Sequence, residues 1–238
     1  MDPDADLAAV ASLIADRHRA QLLQALLSGK PQTGLALAAS VGISRSLASA
    51  HLRKLVAGGL VRAQRDGRQK LYSIAAEPVA DALEILTLLA PPSPQPVRSL
   101  RDSTRTRSLR WARMCYDHLA GVVGVAVTEA LLAQGALCDA EGGWGLGPDG
   151  PGTFARAGIT VGDLPRRGRP QVRPCMDWSE RRHHLAGSLG AALAGSLVQR
   201  DWIRRREGTR IVTVTPAGMT GLREWLGVDM DQRRARAA

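Results

Sequence analysis

Leu37-Ala38-Ala39-Ser40-Val41-Gly42-Ile43-Ser44-Arg45-Ser46-Leu47-Ala48-Ser49-Ala50-His51-Leu52-Arg53-Lys54-Leu55 is the stretch that decides the fold. Apolar residues recur at three- and four-residue spacing on both sides of Val41-Gly42-Ile43, which predicts two helices, 35–40 and 44–57, joined by a tight link. Ser44 carries the hydroxyl that an N-cap needs, and Gly58-Gly59 supplies the stop. Two helices joined by a short turn containing glycine form a helix-turn-helix unit, with Leu47, Leu52 and Leu55 expected to face its core. Residues 60–65 and 69–74 alternate like strands around Asp66-Gly67, a dipeptide suited to tight hairpins, so a β-wing is expected next.

Upstream, the periodicity predicts helices over 4–15 and 17–27. Downstream, a helix over 79–89 has a broad apolar face fit for packing or dimerisation. Pro91-Pro92-Ser93-Pro94-Gln95-Pro96 cannot continue a helix and reads as an extended linker. The expected division is therefore 1–90, a linker at 91–97, and a second module over 98–238.

The chain has 238 residues and a formal net charge of +10, with 45% apolar residues, enough for a core in each module. Basic balance alone favours polyanions through counterion release and names no activity. Its distribution says more: residues 41–72 hold seven basic residues against the single acid Asp66. No apolar run is long enough to span a bilayer, and the acidic start Met1-Asp2-Pro3-Asp4 is unlike a signal peptide, so a cytoplasmic protein without membrane association is expected. Three cysteines, an odd number, do not make a disulfide framework.

The second module contains an internal repeat. His118-Leu119-Ala120-Gly121-Val122-Val123-Gly124 is matched 66 residues later by His184-Leu185-Ala186-Gly187-Ser188-Leu189-Gly190. Each copy, 115–164 and 181–231, reads as helix, hairpin, helix, with the motif opening an apolar helix and the glycines allowing close helix approach. The glycine-rich segment 142–152 lacks the lysine and spacing of a phosphate loop and reads as a flexible loop. The expected fold class is mainly α with small β hairpins: a winged helix-turn-helix followed by a duplicated winged-helix-like module.

Over residues 5–90 the chain resembles the ArsR/SmtB family of winged-helix repressors. The resemblance rests on Ile14-Ala15-Asp16-Arg17-His18-Arg19, on the helix-turn-helix quoted above, and on Gly58-Gly59-Leu60-Val61 with Arg65-Asp66-Gly67-Arg68-Gln69-Lys70-Leu71-Tyr72. It implies a homodimer on an inverted-repeat DNA operator, released by an effector, often a metal or an oxidant. Many metal sensors of the family carry Cys-x-Cys before the turn, whereas here Gln32-Thr33-Gly34-Leu35-Ala36-Leu37 has no thiol.

The residues point the same way on their own. A helix fits the major groove of double-stranded DNA, and Ser44, Arg45, Ser46 and Ser49 at its start have base-reading character. Arg53, Lys54, Arg65, Arg68, Gln69 and Lys70 are placed to meet the backbone, and His51 is either packed or in contact with phosphate. Cys115 and His118, three apart, are expected on one helix face, while Cys175, Asp177, His183 and His184 introduce the second copy. If the repeats meet, these residues make a soft-ligand site for Zn, Cd, Pb or Ni, or a redox-responsive disulfide; the alternative is two small buried thiols with locally bonded histidines. The rivals are an architectural DNA- or RNA-binding protein and an enzyme using the winged helix only to dimerise. For the last, no nucleotide-binding or catalytic arrangement stands out.

Overall fold

A computed structural model describes residues 5–91, 100–165 and 168–237, which fall into two compact units. One runs through Glu84 and includes the segment Glu207–Thr209; the other comprises Ile85–Arg206 and the chain from Arg210 onward. The expected linker, Pro91 apart, lies outside the described residues.

In the first unit, α1 (Leu7–Ile14) and α2 (Arg17–Leu26) precede a short strand, β1 (Gln32–Thr33). The helix-turn-helix follows as α3 (Gly34–Val41) and α4 (Arg45–Ala57). Gly42 closes α3 at φ 75°, in the left-handed region that glycine enters without a Cβ clash. Ser44 caps α4, its hydroxyl accepting from Leu47 N at 3.2 Å. The wing is β2 (Val61–Asp66) paired antiparallel with β3 (Gln69–Ile74), and β1 adds to the outer side of β3. Leu22, Leu23, Leu26, Leu37, Leu52, Leu55 and Ile74 form the core beneath. Leu47 departs from expectation: it is 39% exposed, on the outer face of α4. The helix α5 (Glu77–Leu89) leaves the unit.

The second unit starts with α6 (Leu100–Trp111). Each repeat then opens with a hairpin, where the expectation was a helix opening from the His118 and His184 motifs. The first copy is β4 (Arg113–Cys115), β5 (His118–Ala120), α7 (Gly121–Ala133), β6 (Leu137–Ala140), β7 (Gly143–Leu146) and α8 (Gly150–Arg156). The second is β8 (Arg173–Met176), β9 (His183–Ala186), α9 (Gly187–Gln199), β10 (Ile203–Arg205), β11 (Val212–Val214) and α10 (Pro216–Leu226), followed by α11 (Met230–Ala237). The segment at 142–152 is therefore a strand and the start of a helix, not a flexible loop. Its glycines are there because side chains do not fit: a Cβ on Gly150 would lie 2.7 Å from the Ala136 carbonyl oxygen.

The duplicated motif now has a physical meaning. Leu119 and Leu185 enter the core shared by both copies, with Val123, Leu189, Phe154 and Leu222. Gly121 and Gly187 turn strand into helix at φ 80° and 84°. A Cβ on Gly190 would meet the Leu185 carbonyl oxygen at 2.6 Å and the Cβ of His118, from the other copy, at 3.3 Å. Gly124 is the mirror case, beneath the Leu119 carbonyl and facing His184. The two copies are thus exchanged about an internal pseudo-dyad, each hairpin resting on the other's helix. Among the described residues no single helix is long and apolar enough to cross a membrane.

Candidate functional site

On the first unit, the start of α4 exposes Ser44, Arg45, Ser46 and Leu47, with Ser49 half-buried behind them. Arg53 and Lys54 are exposed farther along the helix, and Arg65, Arg68, Gln69 and Lys70 are exposed on the wing. Within residues 41–72 the single acid is Asp66, at the wing tip. His51 does not belong to it. Its side chain is buried, with Nδ1 3.7 Å from Asp16 Oδ1 and its ring 5.5 Å from that of His18. It packs α4 against α2 in place of reaching outward.

In the second unit the pseudo-dyad brings together residues 60 and 66 positions apart. Cys115 and His118 are not helix neighbours but cross-strand partners in the β4–β5 hairpin, as Cys175 and His184 are in β8–β9. The two sulfurs lie 3.9 Å apart and the two Nε2 atoms 3.2 Å apart. One donor atom from each of the four residues lies within 4.8 Å of all the others, and all four residues are buried. Tyr116 takes φ 61° in the tight turn that brings His118 back beside Cys115.

Carboxylates stand behind both imidazoles. Asp117 Oδ1 is 3.1 Å from His118 Nδ1, and Asp177 Oδ2 is 3.3 Å from His184 Nδ1. Asp177, a candidate ligand from sequence, is therefore an orienting group. It accepts from Gly121 N at 2.7 Å, Ser179 N at 2.9 Å and the fully buried Arg113 at 2.8 Å, whose guanidinium stacks over Trp178. Burial opposes its ionisation, yet His184 and Arg113 hold it well below the usual carboxylate range. Burial likewise opposes charge on His118, but Cys115 and Asp117 beside it lift its pKa to about 9. The site draws positive charge. His183 is exposed, its ring edge-on to Trp144, and stands apart from the cluster.

A signal that would have found Arg113 and the carboxylates was present. Arg113-x-Cys115-x-Asp117 recurs as Arg173-x-Cys175-x-Asp177 at an offset of 60, against 66 for the histidines. The second turn is six residues longer, so a search at one period misses the first half of the motif.

A capped recognition helix with a basic wing behind it defines a winged helix-turn-helix DNA-binding protein, and similarity to known proteins sets its class as a transcriptional regulator. Residues 14–64 match the family model described as a helix-turn-helix domain. The chain is 35% identical over 228 residues to the uncharacterized HTH-type transcriptional regulator YdfF of Bacillus subtilis (strain 168), covering 96% of this chain and 99% of that protein. It is 39% identical over 77 residues to a probable mercury resistance operon repressor of Streptomyces lividans, covering 32% of this chain and 61% of that protein. Among solved structures, the cadmium metal-sensor CMTR of Mycobacterium tuberculosis aligns with 40% of this chain and 100% of its own, at 40% identity and a TM-score of 0.32. The chain belongs to the ArsR family of winged helix-turn-helix transcriptional regulators.

Proposed function

We propose that the protein is a homodimeric, cytoplasmic repressor that binds an inverted-repeat operator and whose DNA affinity is set by a soft divalent metal, Zn, Cd, Pb or Ni, held in the C-terminal module 98–238. The observation that carries this is the convergence of two cysteines and two histidines in one buried cluster. Mercury resistance in the name of a relative similar over 77 residues adds support for metal response. Residues 1–90 would read DNA and dimerise: α1 exposes Leu7 and Val10, and α5 exposes Ile85, Leu86 and Leu89, apolar faces suited to a second copy. Two-fold symmetry then calls for half-sites about one helical turn, roughly 34–36 Å, apart.

Arg45 would read base edges, whereas Arg53, Lys54, Arg65, Arg68, Gln69 and Lys70 would hold phosphate. Arg45→Ala is expected to reduce discrimination between operator and random DNA. Arg68→Ala is expected to weaken both about equally and to lower the salt slope by about 1. Equal losses on both DNAs for the two variants would refute the assignment.

A second reading, release by a thiol oxidant, draws on the 3.9 Å between the sulfurs. Burial of both thiols weighs against it, since oxidant sensing needs access. One experiment separates the two: binding of the upstream intergenic DNA with and without Zn, Cd, Pb, Ni or hydrogen peroxide, on the native chain and on Cys115→Ser. A coupling of about 5- to 150-fold that disappears in the variant is expected for metal. No response to any metal, or an undiminished response in Cys115→Ser, would refute the reading.

A further inference from the structure

We propose that the cluster holds one zinc-class ion per chain in tetrahedral coordination on the pseudo-dyad of the second unit, through Cys115, Cys175 and the Nε2 atoms of His118 and His184. Asp117 and Asp177 act as its positioning residues. This rests on the metal reading above and narrows it from soft divalent ions in general to one geometry, one stoichiometry and a set of supporting groups.

Two edges of the donor set match a zinc-class ion. In a tetrahedron each edge is about 1.63 times the bond length, so Zn–S bonds of about 2.3 Å and Zn–N bonds of about 2.05 Å require S···S of about 3.8 Å and N···N of about 3.3 Å. The structure holds 3.9 and 3.2 Å. A larger ion such as Pb lengthens both edges together, and the N···N edge already sits at the short end for zinc. Nickel's preference for square-planar or tetragonal N,O surroundings is not met by this S2N2 set.

The imidazoles are already turned for such an ion. Asp117 Oδ1 lies 3.1 Å from His118 Nδ1 and Asp177 Oδ2 3.3 Å from His184 Nδ1, and on the other side of the rings the two Nε2 atoms approach to 3.2 Å beside two sulfurs. With the histidines neutral and the thiols deprotonated, both Nε2 atoms and both sulfurs would be available to one metal ion. All four positions of the tetrahedron are filled by buried protein donors, so no position is open for substrate, and the site has the closed character of a structural one. Each copy supplies only one Cys and one His. Neither half binds alone, and the ion ties together the hairpins through which the two copies are exchanged.

The test uses the full-length chain loaded with Co(II) in place of zinc. The expected result is the intense visible d–d absorption of tetrahedral Co(II) with thiolate charge transfer in the near ultraviolet, saturating at one equivalent per chain and bleached by one equivalent of Zn(II). Long-range proton–nitrogen spectra of the zinc form should show both histidines bound through Nε2 and protonated at Nδ1. Asp117→Asn keeps all four ligands and is expected to weaken zinc binding about 10- to 100-fold while the Co(II) spectrum stays tetrahedral and far-ultraviolet circular dichroism is unchanged. A weak octahedral spectrum, saturation at half an equivalent per chain, or binding by Cys115→Ser equal to that of the native chain would overturn the coordination. Unaltered affinity in Asp117→Asn would overturn the positioning role. If Co(II) binds as described while operator affinity ignores zinc, the regulatory reading falls and the site stands; if operator affinity responds to metal without this spectrum, the site falls and the regulatory reading stands.

Discussion

Adding one methyl group at either of two glycines in α9 should have opposite effects. Gly195 is exposed with nothing within 4 Å of where a Cβ would stand. Alanine there removes the helix cost of glycine, a gain of about 0.8–1.0 kcal/mol. Gly190, five residues earlier, offers the same propensity gain, but its Cβ would sit 2.6 Å from a backbone oxygen of β9 and 3.3 Å from the Cβ of His118. Backbone cannot yield as a flexible side chain does, and overpacking a tight core costs about 1–3 kcal/mol, occasionally more. The shared propensity gain cancels, so the two alanine variants should differ by the overpacking cost, about 1–3 kcal/mol, a separation of about 2–4 °C in melting temperature per kcal/mol for a unit of this size. Thermal unfolding followed by circular dichroism on native, Gly190→Ala and Gly195→Ala proteins measures it. Co(II) titration adds a second readout, because only Gly190→Ala displaces a proposed ligand, and it does so from the opposite copy. If Gly190→Ala proves as stable as Gly195→Ala, the close approach of the two copies described above is wrong.

Arg113→Met leaves the buried carboxylate of Asp177 without its guanidinium and should cost about 3–5 kcal/mol in urea unfolding. Loss below 1 kcal/mol would show that the amide donors and His184 suffice without it. Because the folded-state pKa of Asp177 is depressed, its stabilisation is complete above about pH 5 and is lost as the pH falls through the unfolded value of about 3.9; urea midpoints should not change on this account from pH 7 to about pH 5, then fall toward pH 3 in the native chain and less so in Arg113→Met. Leu89→Glu, at a residue 74% exposed, and Leu7→Glu, at one 76% exposed, should convert the proposed dimer to monomer in sedimentation and weaken operator binding; a dimer in both variants would remove α1 and α5 from the proposed interface.

What the sequence revealed follows contact range. Ser44, Gly42 and Asp66-Gly67 act on backbone within a few residues of themselves, so the capped recognition helix and the wing were legible without tertiary information. Leu47 was misread because its spacing fits a core stripe, while the turn rotates it to the outer face. For His51 the sequence leaves packing and phosphate contact open, because the partners that decide for packing, Asp16 and His18, come from a different helix segment. The Cys–His cluster was half legible. Cys115, His118, Cys175 and His184 were gathered from the repeat, but a three-residue spacing suggested a helix face, because nothing local announces a two-residue turn with Tyr116 in the left-handed region. Asp117 passed unnoticed and Asp177 was taken as a ligand, since their role depends on which imidazole nitrogen each one faces.

The pseudo-dyad also changes how such a site responds to dilution. A Cys–His pair contributed by each of two separate chains would have to find its counterpart, and metal occupancy would follow protein concentration. Fused in one polypeptide, the pairs meet at an effective concentration fixed by the linking chain, so occupancy of the proposed site would not depend on protein concentration. Duplication also frees the halves to differ. The six extra residues of the β8–β9 turn carry Trp178 and Ser179, which enclose Arg113 and Asp177, while the short β4–β5 turn leaves Asp117 within reach of solvent.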